Sequence, residues 1–197
     1  AVGMHAAILG EARLGKSIVI LGAGTIGLMV LQACKSLGAT DITVVDVMDK
    51  RLDLAKELGA SRTINGAKED TVALLRSEEL FGDHGVELVF ECAGSTFTAN
   101  QAVQIVARGG KIMMVGTQSK PVPIDFLKIN REVTIQTSFR YCNNYPQTIE
   151  AIRSGKFNVK DMVTNIYDYE DVQKAFEEAI DPVKKTEMVK GVIKVAE

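Results

Sequence analysis

Side chains that ligate metals or form crosslinks are scarce in this sequence. It holds two histidines and three cysteines among 197 residues. Cys34, Cys92 and Cys142 lie far apart and no Cys-x-x-Cys occurs, so neither a disulfide framework nor a zinc-ribbon spacing is encoded. His5 sits in an apolar helical stretch and reads as packing, while His84, within Gly-Asp-His-Gly, reads as a loop residue. The cysteines fit buried thiols in a reducing compartment. No apolar run approaches the length that spans a bilayer, and no basic n-region leads into a secretory h-region. The expected location is the cytoplasm. An excess of one charge is missing too: 23 Lys and Arg against 25 Asp and Glu leave a net charge of -2, which removes the electrostatic case for nucleic acid or an acidic membrane surface. There is no internal repeat and no low-complexity segment. Nor does the chain open on methionine. Ala1 begins inside AVGMHAAI, which reads as helix, and this predicts a piece of a longer product.

What is present is ordinary for a globular protein, with 46% hydrophobic and 24% charged residues. Short apolar runs alternate with helical patterns. SIVIL (17–21), ITVVD (42–46), ELVFE (87–91), KIMMV (111–115) and VTIQT (133–137) are strand candidates, with a weaker one in RTIN (62–65). Several are continuously apolar, as parallel strands covered on both faces are. The helices expected between them cover 25–37, 49–58, 71–80 and 97–107. The second opens on Asp49 as N-cap and closes at Gly59, and the fourth is stopped by Gly109-Gly110. This alternation predicts an α/β fold, a doubly wound parallel sheet built with right-handed crossovers. The strand at 133–137 should be an edge, open to pairing with a second copy. After about Pro146 the rhythm changes. PQTIEAIRSGKF reads as a helix ending near Gly155. DYEDVQKAFEEAI places Val172, Ala175, Phe176, Ala179 and Ile180 on one stripe, and MVKGVIKV reads as a last strand.

Between the first strand and its helix stand three glycines, Gly22, Gly24 and Gly27, as G-x-G-x-x-G. Each has a separate task in a dinucleotide site: the tight turn, the close approach of a pyrophosphate to bare backbone, and the close packing of helix on strand. The helix start beginning at Thr25 adds N–H groups and a partial positive charge for the phosphates. Asp46 ends the second strand about 20 residues past the last glycine, where a ribose-binding acid is expected. A carboxylate there accepts hydrogen bonds from ribose hydroxyls and repels a 2′-phosphate, which favours NAD over NADP. Lys50 and Arg51 pull mildly the other way, because an Arg nearby can hold that phosphate. Lys50 reads as part of a solvated helix start and Arg51 as packing against the adenine. Two rival nucleotide folds fail on the page. Leu21, not an acid, enters the glycine turn as a methyltransferase would require, and no tyrosine has a lysine four residues on.

With these residues placed, the chain resembles the C-terminal half of a zinc-dependent medium-chain alcohol/polyol dehydrogenase. The stretches that carry the likeness are GAGTIGLMVLQACKSLGA, VVDVMDKRLDLAKELGA, ECAGS, GGKIMMVG and FRYCNNYP. The first four are family-wide. SFRYCNNYP, 138–146, looks most like sorbitol (L-iditol) and related polyol dehydrogenases. The resemblance implies a Rossmann domain over 1–145 with an N-terminal linking helix, and a segment over 146–197 that returns to complete a catalytic domain. It implies that Ile26 lies against the cofactor, that Asp46 and Arg51 flank the adenosine ribose, and that Cys92 borders the cofactor cleft. Read by itself, Cys92 serves equally as a small buried filler. The resemblance further implies that Val115, Gly116 and Thr117 meet the nicotinamide end, that Phe139 and Arg140 close over it, and that Arg140 and Tyr141 face the polyol.

The family's reaction is hydride transfer between an alcohol carbon and nicotinamide, with zinc polarising the alcohol oxygen. Its metal ligands come from an N-terminal domain whose positions are absent here, as is the optional four-cysteine structural zinc loop. The chain is therefore expected to bind NAD, to hold no metal, and not to oxidise alcohols alone. A homo-oligomer through the edge strand is expected from the same likeness. A non-catalytic module that senses NAD, and a related dehydrogenase acting on butanediol or threonine, stand as alternatives.

Overall fold

A computed structural model describes residues 1–129, 132–181, 183–186 and 188–196. Contacts divide the chain into two compact units, Ala1–Phe157 and Asn158–Glu197.

In the first unit, helix α1 (Val2–Leu9) precedes β1 (Ser17–Leu21), α2 (Thr25–Ser36), β2 (Asp41–Asp46), α3 (Asp49–Glu57) and β3 (Arg62–Asn65). Then follow α4 (Thr71–Leu75), β4 (Val86–Glu91), α5 (Thr96–Ile105), β5 (Val106–Met114), β6 (Thr134–Thr137) and α6 (Tyr145–Arg153). The six strands form one parallel sheet in the order β3-β2-β1-β4-β5-β6. The order reverses between β1 and β4, where a crevice forms because successive crossovers leave in opposite directions. All but the first residue of β1 are buried, which explains its unbroken apolar run. β6 is an edge, with Ile135 exposed. On one side, α1 packs on α2 so closely that a Cβ at Gly3 would meet the Met29 backbone at 2.5 Å.

Three helix boundaries differ from expectation, each for a local reason. Asp49 does not cap α3. Met48 holds the cap position, and the Asp49 carboxylate accepts instead from Asn65 Nδ2 and Lys68 Nζ, both at 2.7 Å. Helix α4 is capped by Asp70, whose side chain accepts from the N–H groups of Val72 and Ala73, and stops at Leu75 rather than near Leu80. Beyond it Arg76 donates to the carbonyls of Gln104, Asp83 and Val106, which fastens the turn to the sheet. Helix α5 ends before Gly109-Gly110. Val106 is already extended and pairs with Val86, so the two glycines lie inside β5, where the register shifts.

The second unit is a small βαβ. β7 (Asn165–Asp168) and β8 (Gly191–Lys194) pair in parallel, with α7 (Val172–Ile180) between them. The apolar stripe of α7 forms, and Ala175, Phe176 and Ala179 border a small cavity with Tyr167 and Ile193. No α7 residue is fully buried, and Ile180 stays 77% exposed.

Candidate functional site

A cavity of about 390 Å³ opens at the carboxyl ends of β1, β2 and β4. Its walls include Leu21, Gly22, Gly24, Val45, Asp46, Val47, Arg51, Cys92, Ser95, Phe97 and Gln101. The glycine turn forms its floor, and the three glycines differ in what their backbones demand. Gly22 has φ +106°, and a Cβ there would lie 2.9 Å from the Ala93 nitrogen. Gly27 sits so close under the turn that a Cβ would lie 1.8 Å from the Gly22 carbonyl oxygen. Gly24 is different: an added Cβ would meet nothing within 4 Å, and its backbone is ordinary extended chain. Protein packing therefore does not require glycine at 24. The open space above it is where a ligand's phosphate would press against the bare backbone, so this residue fits the group the motif implies. Gly24 holds the N-cap position of α2 without a side-chain cap, at the end of a helix whose dipole favours an anion.

Asp46 is more engaged than its sequence position suggests. Its Oδ2 accepts from the Ala23 N–H at 2.6 Å, and its Oδ1 accepts from Val47 and Met48 at 2.8 and 3.0 Å. The carboxylate thus pins the glycine turn to the end of β2. A carboxylate offers about four lone-pair sites, so one on Oδ2 is left for a further donor such as a sugar hydroxyl. Val47 is exposed at the cavity rim and Arg51 is half-buried in its wall, suiting a flat heterocycle laid against them.

Cys92 lines the cavity half-buried, and burial pushes its thiol well up, with the neighbouring Glu91 carboxylate adding to the effect. It is held as a neutral thiol, poorly suited to ligation or nucleophilic attack. Cys34, buried in α2, is also pushed up by burial.

The cavity gathers Gly22, Gly24, Asp46, Arg51 and Cys92, all singled out from the sequence. The others lie around it. Thr25 and Ile26 form the half-buried first turn of α2, and Gly27 packs beneath. Val115 and Gly116 follow β5 and donate their N–H groups to the Glu91 carbonyl at 2.9 and 2.8 Å. The Thr117 carbonyl packs against Gly94, where a Cβ would meet it at 2.6 Å. Phe139, Arg140 and Tyr141 ride an exposed loop after β6. Arg140 stacks over the Phe139 ring at 5.2 Å, and Tyr141 meets Tyr145 edge-on at 4.9 Å. Arg140 adopts φ +54°.

Sequence reasoning missed Glu91, Phe97, Thr98 and Gln101. Glu91 is fully buried at the end of β4 and accepts from Ala93, Gly94 and Thr98 on one oxygen and from Gln118 on the other. One signal was available: an acid closing an apolar strand just before a glycine turn, as Asp46 closes β2. Phe97 is 68% exposed at the cavity wall, an aromatic face open to a ligand.

Among the described residues no group of three or more His, Cys, Asp or Glu is arranged to hold a metal ion. No helix there is long and apolar enough to cross a membrane.

Comparison with known proteins gives a consistent picture. The family described as "Zinc-binding dehydrogenase" matches residues 25–154. A zinc-type alcohol dehydrogenase-like protein of Escherichia coli strain K12, YdjJ, is 61% identical over all of this chain and 56% of its own length. Sorbitol dehydrogenase of Bacillus subtilis is 38% identical over 91% of this chain and 51% of its own length. A crystal structure of an Escherichia coli oxidoreductase/dehydrogenase of unknown specificity superposes with a TM-score of 0.95 at 61% identity, over 100% of this chain and 56% of that one. The chain spans about half the length of the curated relatives it matches.

Proposed function

The chain belongs to the zinc-binding dehydrogenase family, and from that premise we propose that it is the NAD-binding part of a zinc-dependent polyol dehydrogenase. The observation that carries this reading is the junction of the glycine turn with Asp46, made by the 2.6 Å hydrogen bond from Ala23 at the floor of the cavity. One carboxylate there shapes the phosphate turn and keeps a site for the adjoining ribose. A 2′-phosphate would bring a second negative charge against it, which supports NAD over NADP. In this reading the turn of Gly22, Gly24 and Thr25 holds the pyrophosphate, Gly27 lets the helix pack close beneath it, Ile26 lies against the cofactor, and Arg51 packs against the adenine. Cys92, Val115, Gly116 and Thr117 border the nicotinamide end. Phe139 and Arg140 close over the ring, and Arg140 and Tyr141 face the substrate.

NAD when bound supplies the hydride acceptor. The residues of this chain bind and orient it through the sheet's carboxyl end. The family's zinc has no ligand set among the described residues, so no step is routed through it. The likeness to sorbitol dehydrogenase supports a polyol as substrate. The same reading extends to a homo-oligomer paired through β6, whose outer edge carries no partner strand among the described residues.

The test is turnover. The 197-residue chain, incubated with sorbitol or xylitol and NAD, is expected to bind NAD and produce no NADH. Sustained NADH formation by the pure chain would overturn the division of labour proposed here.

A further inference from the structure

Glu91 is a buried acid. It is 0% exposed. Its Oε1 accepts from the Ala93 and Gly94 N–H groups at 3.0 and 2.8 Å and from Thr98 Oγ1 at 2.7 Å, while Oε2 accepts from Gln118 Nε2 at 3.1 Å. All four partners are neutral donors, and among the described residues no cation pairs with it. Both oxygens are engaged, with three contacts on Oε1 and one on Oε2. The four hydrogen bonds explain why an acid rather than an amide occupies the position. They fasten the turn after β4 to the turn after β5, where a Cβ at Gly116 would sit 2.8 Å from Oε2. None of them brings a counter-charge, so a carboxylate here acts on whatever binds above it.

The location decides what that is. A dinucleotide crosses a sheet of this order at the reversal between β1 and β4, with one nucleoside on each side. Asp46 marks the adenosine side at β2. The other nucleoside lies over the ends of β4 and β5, above the turn that Glu91 builds. Its nicotinamide ring is a cation when oxidised and neutral when reduced. A buried charge is screened less by salt than an exposed one.

We propose that the Glu91 carboxylate biases this site toward the oxidised nicotinamide and against the reduced one. The inference rests on the dinucleotide reading above, and it assigns this chain a part in setting the redox preference of its cofactor.

The test compares dissociation constants of NAD, NADH and ADP-ribose, measured by calorimetry on the 197-residue chain. ADP-ribose lacks the ring and reports the adenosine half alone. Glu91→Gln is expected to weaken NAD relative to NADH by about tenfold, with ADP-ribose unchanged. Gln118→Lys keeps the carboxylate but sets a counter-charge beside it, and should shift the ratio in the same direction. A Glu91→Gln chain that binds ADP-ribose normally with an unchanged NAD/NADH ratio overturns the proposal. Should Glu91→Gln lose ADP-ribose binding, Gln118→Lys decides: a shifted ratio supports the proposal and an unshifted one overturns it. Failure of the unaltered chain to bind any of the three ligands removes the dinucleotide reading itself, and this inference with it.

Discussion

Gly24 and Gly27 are chemically identical and do opposite work. Gly27 is required by the protein, because a methyl group there would overlap the Gly22 carbonyl at 1.8 Å. Gly24 is not required by the protein, since the space around it is open. Gly27→Ala should therefore cost at least about 3 kcal/mol of stability, as overpacking without room to relax does. Gly24→Ala should cost about 1 kcal/mol, the loss of a good helix-start residue, and should lower dinucleotide affinity far more than stability. Thermal unfolding with NAD titration separates the two, and a Gly24→Ala chain that binds NAD normally would contradict the phosphate role. At this scale the sequence was partly legible. The glycines and Asp46 announce themselves because their spacing is local. The threefold backbone bonding of Asp46 and the network of Glu91 were hidden, because Ala23, Thr98 and Gln118 are brought in by folding alone.

Elements buried on both faces were the easiest to read. β1 and the central parts of β2 and β4 appear as buried runs because helices cover both sides of a parallel sheet, while β5 is apolar mainly over its last three residues. β7 escaped notice. Asn165–Asp168 has two apolar residues between polar ends, and only Tyr167 of the four is buried. That strand is tied to its helix by polar contacts. Tyr167 donates its hydroxyl to Glu178 at 2.7 Å, and Lys184 donates to the same carboxylate at 2.9 Å. The Lys184 hydrogen bond, followed by that of Tyr167, holds the Glu178 carboxyl below the usual carboxylate range. The same bonds push the Tyr167 hydroxyl and the Lys184 ammonium upward. The signs follow from linkage. A depressed carboxylate stabilises the fold above its unfolded pKa and loses that contribution as pH falls through its folded value. A raised tyrosine or lysine contributes below its unfolded pKa and loses that as pH rises. The βαβ unit should hold at neutral pH and loosen first in acid, below about pH 4. The Tyr167 ring signals in NMR spectra report this directly. Glu178→Gln should flatten the acid arm, and an acid transition unchanged by that substitution would contradict the account.

On the scale of the whole molecule, two units share one chain and the larger carries the cavity. The parallel sheet and its edge strand could be read from the alternation of elements, whereas the strand order and its reversal point came from the structure. The orientation of Phe139, Arg140 and Tyr141 could not be read either, because they lie on an exposed loop that sequence pattern does not orient. The central claim is a phosphate cradle whose neighbouring acid takes a ribose. Calorimetric titration of the chain with NAD and, separately, with NADP tests it most directly. The account predicts saturable heat with NAD and affinity for NADP lower by at least about tenfold, the equivalent of one repelled charge near Asp46. Equal affinities, or no heat with either at millimolar concentration, would contradict it.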